Sequence, residues 1–187
     1  MTGFSLLEMM ICLAIMAVLS GIGVHLLNQQ IAEMQLRTIA HAFIHDAQLS
    51  RQYSRSQSAD ISMRPIKKND WLEGWQIIEL SDALTHPPKV LKTYSLKSQG
   101  LIEHITIPNH LLKASQQFTD MSAPQKLRHL TFKNGQVALL NNGGFVANRI
   151  IWQHMRYPGL IRHIILGPGG RWRVCDPRED NHHCSSN

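Results

Sequence analysis

The stretch from Gly3 to Leu27, GFSLLEMMICLAIMAVLSGIGVHLL, limits what this chain can fold into more than any other. It is almost wholly apolar, and Glu8 is its one acid. No charged residue lies between Met9 and Val24. A transmembrane helix needs about 20 mostly apolar residues to cross the hydrocarbon core, and Phe4 to Leu27 supplies that length. Lipid offers backbone groups no partners, so such a span is expected to be helical. A carboxylate near the start of that helix costs on the order of a few kcal/mol unless something pairs with it, which marks Glu8 as a functional residue. A cleaved secretory signal would show a basic n-region and a small-residue cleavage site after its apolar run. The chain has no basic n-region, and Ser20-Gly21-Ile22-Gly23 is a poor cleavage site. A plain single-span anchor is the other reading, and it leaves Glu8 without a partner.

Gly3-Phe4-Ser5-Leu6-Leu7-Glu8 resembles the processing motif of type IV pilins and of the pseudopilins of type II secretion. The resemblance implies that a membrane-embedded prepilin peptidase cuts between Gly3 and Phe4 and methylates the new amino terminus at Phe4. It also implies that Glu8 pairs with the amino terminus of a neighbouring subunit in an assembled filament. The leader is then Met1-Thr2-Gly3, which has no Lys or Arg, so topology is not readable from flanking charge. The protein is expected as a single-pass resident of the bacterial inner membrane, its globular part in the periplasm, before it joins other pilins or pseudopilins in a filament. Four parts follow: leader 1–3, transmembrane half-helix 4–27, amphipathic half-helix 28–57 and C-terminal domain 58–187.

Helical periodicity continues past the apolar run. Ile31, Met34, Ile39, Ala40, Phe43, Ile44 and Ala47 recur at three- and four-residue steps, as one face of a helix does. No Pro interrupts Phe4 to Gln57, which makes one helix roughly 80 Å long. Arg64-Pro65 closes this regime. Beyond it come short apolar runs: Ala59–Met63, Trp75–Leu80, Val90–Leu96, Leu101–Ile107, Leu127–Phe132, Gln136–Leu140, Phe145–Trp152, Leu160–Leu166 and Arg171–Cys175. Asn134-Gly135, between two of them, suits a type I′ hairpin turn. His110 to Gln125 reads as a loop or a short helix. The fold class is α+β, a long N-terminal helix packed on antiparallel sheets. Trp71-Leu72-Glu73-Gly74-Trp75, the Phe132–Val137 hairpin and Gly170-Arg171-Trp172-Arg173 together resemble the FimT/GspH branch of the pilin-like proteins. There one helix packs on two small antiparallel sheets.

No HExxH, GxSxG or Walker-type loop appears, and the chain reads as non-enzymatic, with no cofactor. Of the three cysteines, Cys12 lies in the apolar run. Cys175 and Cys184 would form a disulfide if the domain is periplasmic, as the resemblance implies. The adjacent His182 and His183 leave a second reading, a metal site with Cys175 and Cys184, although the spacing fits no standard zinc pattern.

Charge points to a different chemistry. The formal net charge is +6, and residues 121–175 carry eight Lys or Arg and no acid. A field of one sign at that density suits a polyanion. In an extended Arg171-Trp172-Arg173-Val174-Cys175, Arg171 and Arg173 fall on one face and Trp172 and Val174 on the other. Arg149, Arg156 and Arg162 precede them, and guanidinium forks match phosphate oxygens bidentately. The resemblance points the same way, because FimT-like minor pilins of natural transformation carry a C-terminal Gly-Arg-x-Arg motif that binds DNA. Here that motif maps onto Gly170, Arg171 and Arg173. Duplex DNA is therefore the expected partner, bound with little sequence preference. The alternative in which Arg171 and Arg173 pair with Asp176 or Glu179 is structural only. Two other roles fit the same resemblance: a GspH-like minor pseudopilin of type II secretion, and a minor pilin that primes assembly without touching DNA.

Overall fold

The computed structural model of the chain describes residues 6–67, 70–80, 87–106, 129–137, 148–167, 170–180 and 184, with the side chains of 22–26 and 148 excepted. Helix α1 runs from Leu6 to Gln57, about 80 Å at 1.5 Å per residue. It stops where Ser58 takes φ 51°, a left-handed value that ends the hydrogen-bond ladder. From Leu6 to Gly21 every residue is exposed, and the side chains of Leu7, Met10, Leu13 and Val18 stand clear of the rest of the chain. No helix among the described residues is long and apolar enough to cross a membrane. The apolar stretch with described side chains runs only from Leu6 to Gly21. Gly3 and Phe4 lie outside the described residues, and Glu8 is exposed on the first turn.

The second half of α1 docks through Ala32, Leu36, Ile39, Ala40, Phe43 and Ala47, all buried. The expected stripe needs a correction here. Ile31 and Met34 are 52% and 66% exposed, and Ala32 and Leu36 take their place. Each residue turns the helix by about 100°, which places Ala32 and Leu36 on the same arc as Ile39, Ala40, Phe43 and Ala47 and leaves Ile31 and Met34 outside it.

Nine strands follow among the described residues: β1 Asp60–Lys67, β2 Asp70–Leu80, β3 Lys89–Ser95, β4 Ile105–Thr106, β5 Leu130–Lys133, β6 Gln136–Val137, β7 Asn148–His154, β8 Ile161–Gly167 and β9 Arg171–Cys175. They form two antiparallel sheets, one ordered β3-β2-β1-β5-β6 and the other β4-β7-β8-β9. A short helix, α2, spans Pro177–Asp180. Asn134 and Gly135 both have positive φ, 49° and 74°, as a type I′ turn requires, and Phe132 faces Val137 across it. Pro65 sits inside β1 and does not close the helix. Pro65 pairs with Trp75 of β2, and among the described residues the β1–β5 pairing ends at Met63 and Leu130. In the run expected at 101–107, residues 102–104 are turn and Ile105–Thr106 pairs with β7, while Ile107 lies outside the described residues. His110–Gln125, and the outer parts of the runs expected at 127–132, 136–140 and 145–152, lie outside the described residues.

The core centres on Phe43. Its ring meets Trp71, Trp75, Trp152 and Trp172 edge-on, at centroid distances of 5.3, 5.2, 5.7 and 5.4 Å. Trp71 and Trp75 come from one sheet, Trp152 and Trp172 from the other. Beside them Trp75 Nε1 donates to Asp46 Oδ2 at 2.9 Å, and Lys92 Nζ donates to Asp46 Oδ1 at 2.5 Å. The buried carboxylate thus carries both a donor and a countercharge. Burial and then the Asp46 charge push the Tyr94 phenol above its ordinary value.

A histidine fastens β7 to the helix. His154 is 3% exposed, and its Nδ1 accepts from the Tyr157 N–H at 3.2 Å. Its Nε2 therefore carries the proton and faces Gln35 Oε1 at 3.1 Å. Burial, then the charges of His104 and Arg156, hold its pKa below the ordinary histidine value of 6.5. The unfolded chain binds this proton more readily than the folded one. The contribution is thus present above about pH 6.5 and lost as pH falls from there through the lowered folded value. Melting temperature is expected to drop between pH 7 and pH 5, and to drop less in His154→Gln. Equal slopes in parent and variant would place the acid sensitivity elsewhere.

Candidate nucleic-acid interface

Strand register decides which arginines share a surface. In the four-stranded sheet Arg149 faces Ile165, and Ile165 faces Arg173, in one row across β7, β8 and β9. Arg171 faces Gly167, which offers no side chain to cover it. Side chains alternate along a strand, so Arg149, Arg171 and Arg173 lie on the same face. That face points away from α1. The opposite face carries Ile150, Trp152, Ile164, Leu166, Trp172 and Val174, which join the helix in the core. Arg171 and Arg173 are exposed, and Arg149 is half-buried. Among the described residues β9 is an edge strand, and no strand lies beyond its two arginines.

Among the described residues, neither Arg171 nor Arg173 forms an ion pair. Asp176, the acid expected to engage them in a structural role, is held by Arg162 and Arg178 instead. Gly170 has φ +76° and turns the chain into β9 immediately before Arg171. The two guanidiniums therefore project from a fixed strand with their donors facing solvent, as phosphate recognition needs.

Two expected members do not belong. Arg162 is 3% exposed, on the core side of β8 with Ile164 and Leu166. Its Nη2 reaches Glu33 Oε1 of α1 at 3.0 Å, and its Nη1 bonds Asp176 Oδ2 and the Ile161 carbonyl. Even parity with Ile164 and Leu166 puts it there, a signal already present in the sequence. Arg156 is exposed but lies past the far end of β7, beside His154. Seven residues from Arg149 at about 3.3 Å each put it roughly 20 Å away.

The network that Arg162 belongs to anchors the end of β9. Arg178 donates to Asp176 through its backbone N–H at 3.0 Å and its Nη2 at 3.1 Å, and the Asp176 N–H donates to Asp180 Oδ2 at 3.0 Å. Burial alone would raise the Asp176 carboxyl, but the Arg178 hydrogen bonds and the charges of Arg162 and Arg178 hold it below its ordinary value. Cys175 and Cys184 are joined by a disulfide with a Cα–Cα distance of 5.6 Å, and they pack with Ile165 on the outer face. A bridged pair has no thiolates to offer a metal, so the rival metal reading loses two of its four ligands. Its other two, His182 and His183, lie outside the described residues.

Residues 2–24 match the family model described as the prokaryotic N-terminal methylation motif. The architecture is one long helix packed on two antiparallel sheets, the α+β class expected. Among solved structures, the chain is similar to the type IV minor pilin FimU of Pseudomonas aeruginosa, with 15% identity and a TM-score of 0.44, over 80% of this chain and 95% of that one. It is also similar to the minor pseudopilin EpsH from the type 2 secretion system of Vibrio cholerae, with 14% identity and a TM-score of 0.45, over 78% of this chain and 98% of that one. No curated protein sequence matches.

Proposed function

We propose that the chain is a minor pilin of a type IV pilus that binds DNA without sequence preference during DNA uptake. The observation that carries this reading is the placement of Arg149, Arg171 and Arg173 on one outward sheet face. Arg171 and Arg173 there pair with no acid among the described residues. The methylation motif supports the filament half of the reading. The exposed apolar side chains from Leu6 to Leu19 support it too, since a surface of that kind needs lipid or neighbouring helices to cover it. In this reading a prepilin peptidase processes the chain between Gly3 and Phe4. The first half of α1 sits in the inner membrane before assembly and joins other pilins in the filament afterwards, with Glu8 paired there. The domain faces the periplasm.

The test uses the full chain in detergent micelles with fluorescent duplex DNA across a salt series. Each phosphate neutralised contributes about −0.9 to the slope of log K against log salt. The Arg171→Ala, Arg173→Ala double variant is expected to weaken binding and to reduce that slope by about two. Absence of binding at about 50 mM salt, where such contacts are strong, removes the DNA reading and leaves the GspH-like pseudopilin or a priming minor pilin. Mass spectrometry of the membrane-derived protein is expected to find a chain beginning at methylated Phe4. A chain still beginning at Met1 contradicts the filament reading.

A further inference from the structure

A second pair of guanidiniums lies beside the turn that leads into Arg171. Arg51 and Arg55 stand four residues apart near the C-terminal end of α1, a spacing at which like charges repel. Among the described residues neither forms an ion pair. Other cations do: Arg37 and Arg162 meet Glu33, Arg178 meets Asp176, and neighbouring Lys133 meets Asp60. Arg51 Nε donates to the Gly135 carbonyl at 2.7 Å, which fixes the fork against the β5–β6 turn. Gly135 makes room for Arg55, and Gly170 lies within ordinary contact range of Arg51. A Cβ on Gly135 would lie 2.9 Å from Arg55 Nε, and one on Gly170 would lie 3.7 Å from Arg51 Nη1. The negative end of a helix favours one cation in its last turn, which accounts for Arg55. It does not account for Arg51, whose donor goes to the hairpin.

We propose that the phosphate-binding surface continues past Gly170 onto Arg51 and Arg55, so that DNA phosphates are held on both sides of the Gly170-Arg171 turn. This rests on the DNA reading above. The occupant has the chemistry the pair lacks, a chain of closely spaced anions that relieves the repulsion between two neighbouring guanidiniums.

The experiment again uses the full chain in detergent with duplex DNA over a salt series. Arg51→Gln with Arg55→Gln is expected to weaken binding about tenfold at about 50 mM salt and to lower the salt slope by close to two. The effect is expected to add to that of Arg171→Ala with Arg173→Ala. If the parent binds, the Arg171 and Arg173 changes weaken it, and the Arg51 and Arg55 changes leave affinity and slope alone, this inference falls and the DNA reading stands. If the parent does not bind, both fall. Arg51→Gln could loosen the hairpin, so Arg55→Gln alone is the second variant, because Arg55 makes no side-chain hydrogen bond among the described residues. It is expected to lower the slope by about one at an unchanged melting temperature, and an unchanged slope overturns the proposal.

Discussion

Phe43→Ala is expected to cost about 3–5 kcal/mol, enough to remove a large share of a domain's stability. The size follows from position. Phe43 is fully buried, and its ring meets four tryptophans edge-on. Edge-to-face pairs add about 0.5–1.5 kcal/mol each beyond the area they bury. Those tryptophans belong to both sheets, so one side chain on the helix holds the two sheets to each other. Truncation leaves a void bounded by rigid indoles on two separate sheets, where collapse is least able to fill it. Phe43→Leu keeps most of the volume and is expected to lose roughly half as much. Urea unfolding followed by tryptophan fluorescence measures both. A loss below about 1 kcal/mol for the alanine variant would show that the sheets hold together without this ring.

Some of this was readable from residue order, and the reason differs from element to element. The Phe132–Val137 hairpin was legible because a type I′ turn needs positive φ at two successive residues, and Asn-Gly meets that locally. β9 was legible for a similar reason, since alternation alone separates Arg171 and Arg173 from Trp172 and Val174. The docking face of α1 was misassigned at Ile31 and Met34, because apolar residues on a helix that also has an exposed apolar half do not mark one face. Arg162 was misplaced although its parity with Ile164 and Leu166 was in view. Its partner Glu33 is 129 residues away, and no local pattern pairs them. Arg156 lies apart from Arg171 and Arg173 because the register across β7, β8 and β9 aligns the Arg149 end of β7 with them, and register is not readable from residue order. Arg51 and Arg55 were visible as helix cations, but their meeting with two glycine turns belongs to tertiary structure.

Asp176→Ala is expected to destabilise by about 3–5 kcal/mol at neutral pH, because it strips a buried guanidinium of one of its two carboxylates. Arg162 and Asp176 are 3% and 5% exposed, so water does not replace the lost partner. Glu33 remains but is shared with Arg37. The same change releases Arg178, loosening the segment after β9, while the residue-176 N–H keeps its bond to Asp180 and the disulfide still ties Cys175 to Cys184. Adding Arg162→Met to Asp176→Ala is expected to recover part of the loss, since no unpaired charge then stays buried. A merely additive double variant would mean that the two side chains do not depend on each other. The pH dependence gives a second reading of the same network. Asp176 is held below its ordinary value near 3.8, so its unfolded form takes up the proton first as pH falls. Its contribution is full above that value and is lost only as pH drops through the lower folded one. The gap between parent and Asp176→Ala should therefore hold from pH 7 down to about pH 4.5 and close below it. Hydrogen exchange at the Cys175 and Asp176 amides is expected to speed up in the variant. Unchanged protection there would show that the disulfide alone fixes the end of the strand that carries Arg171 and Arg173.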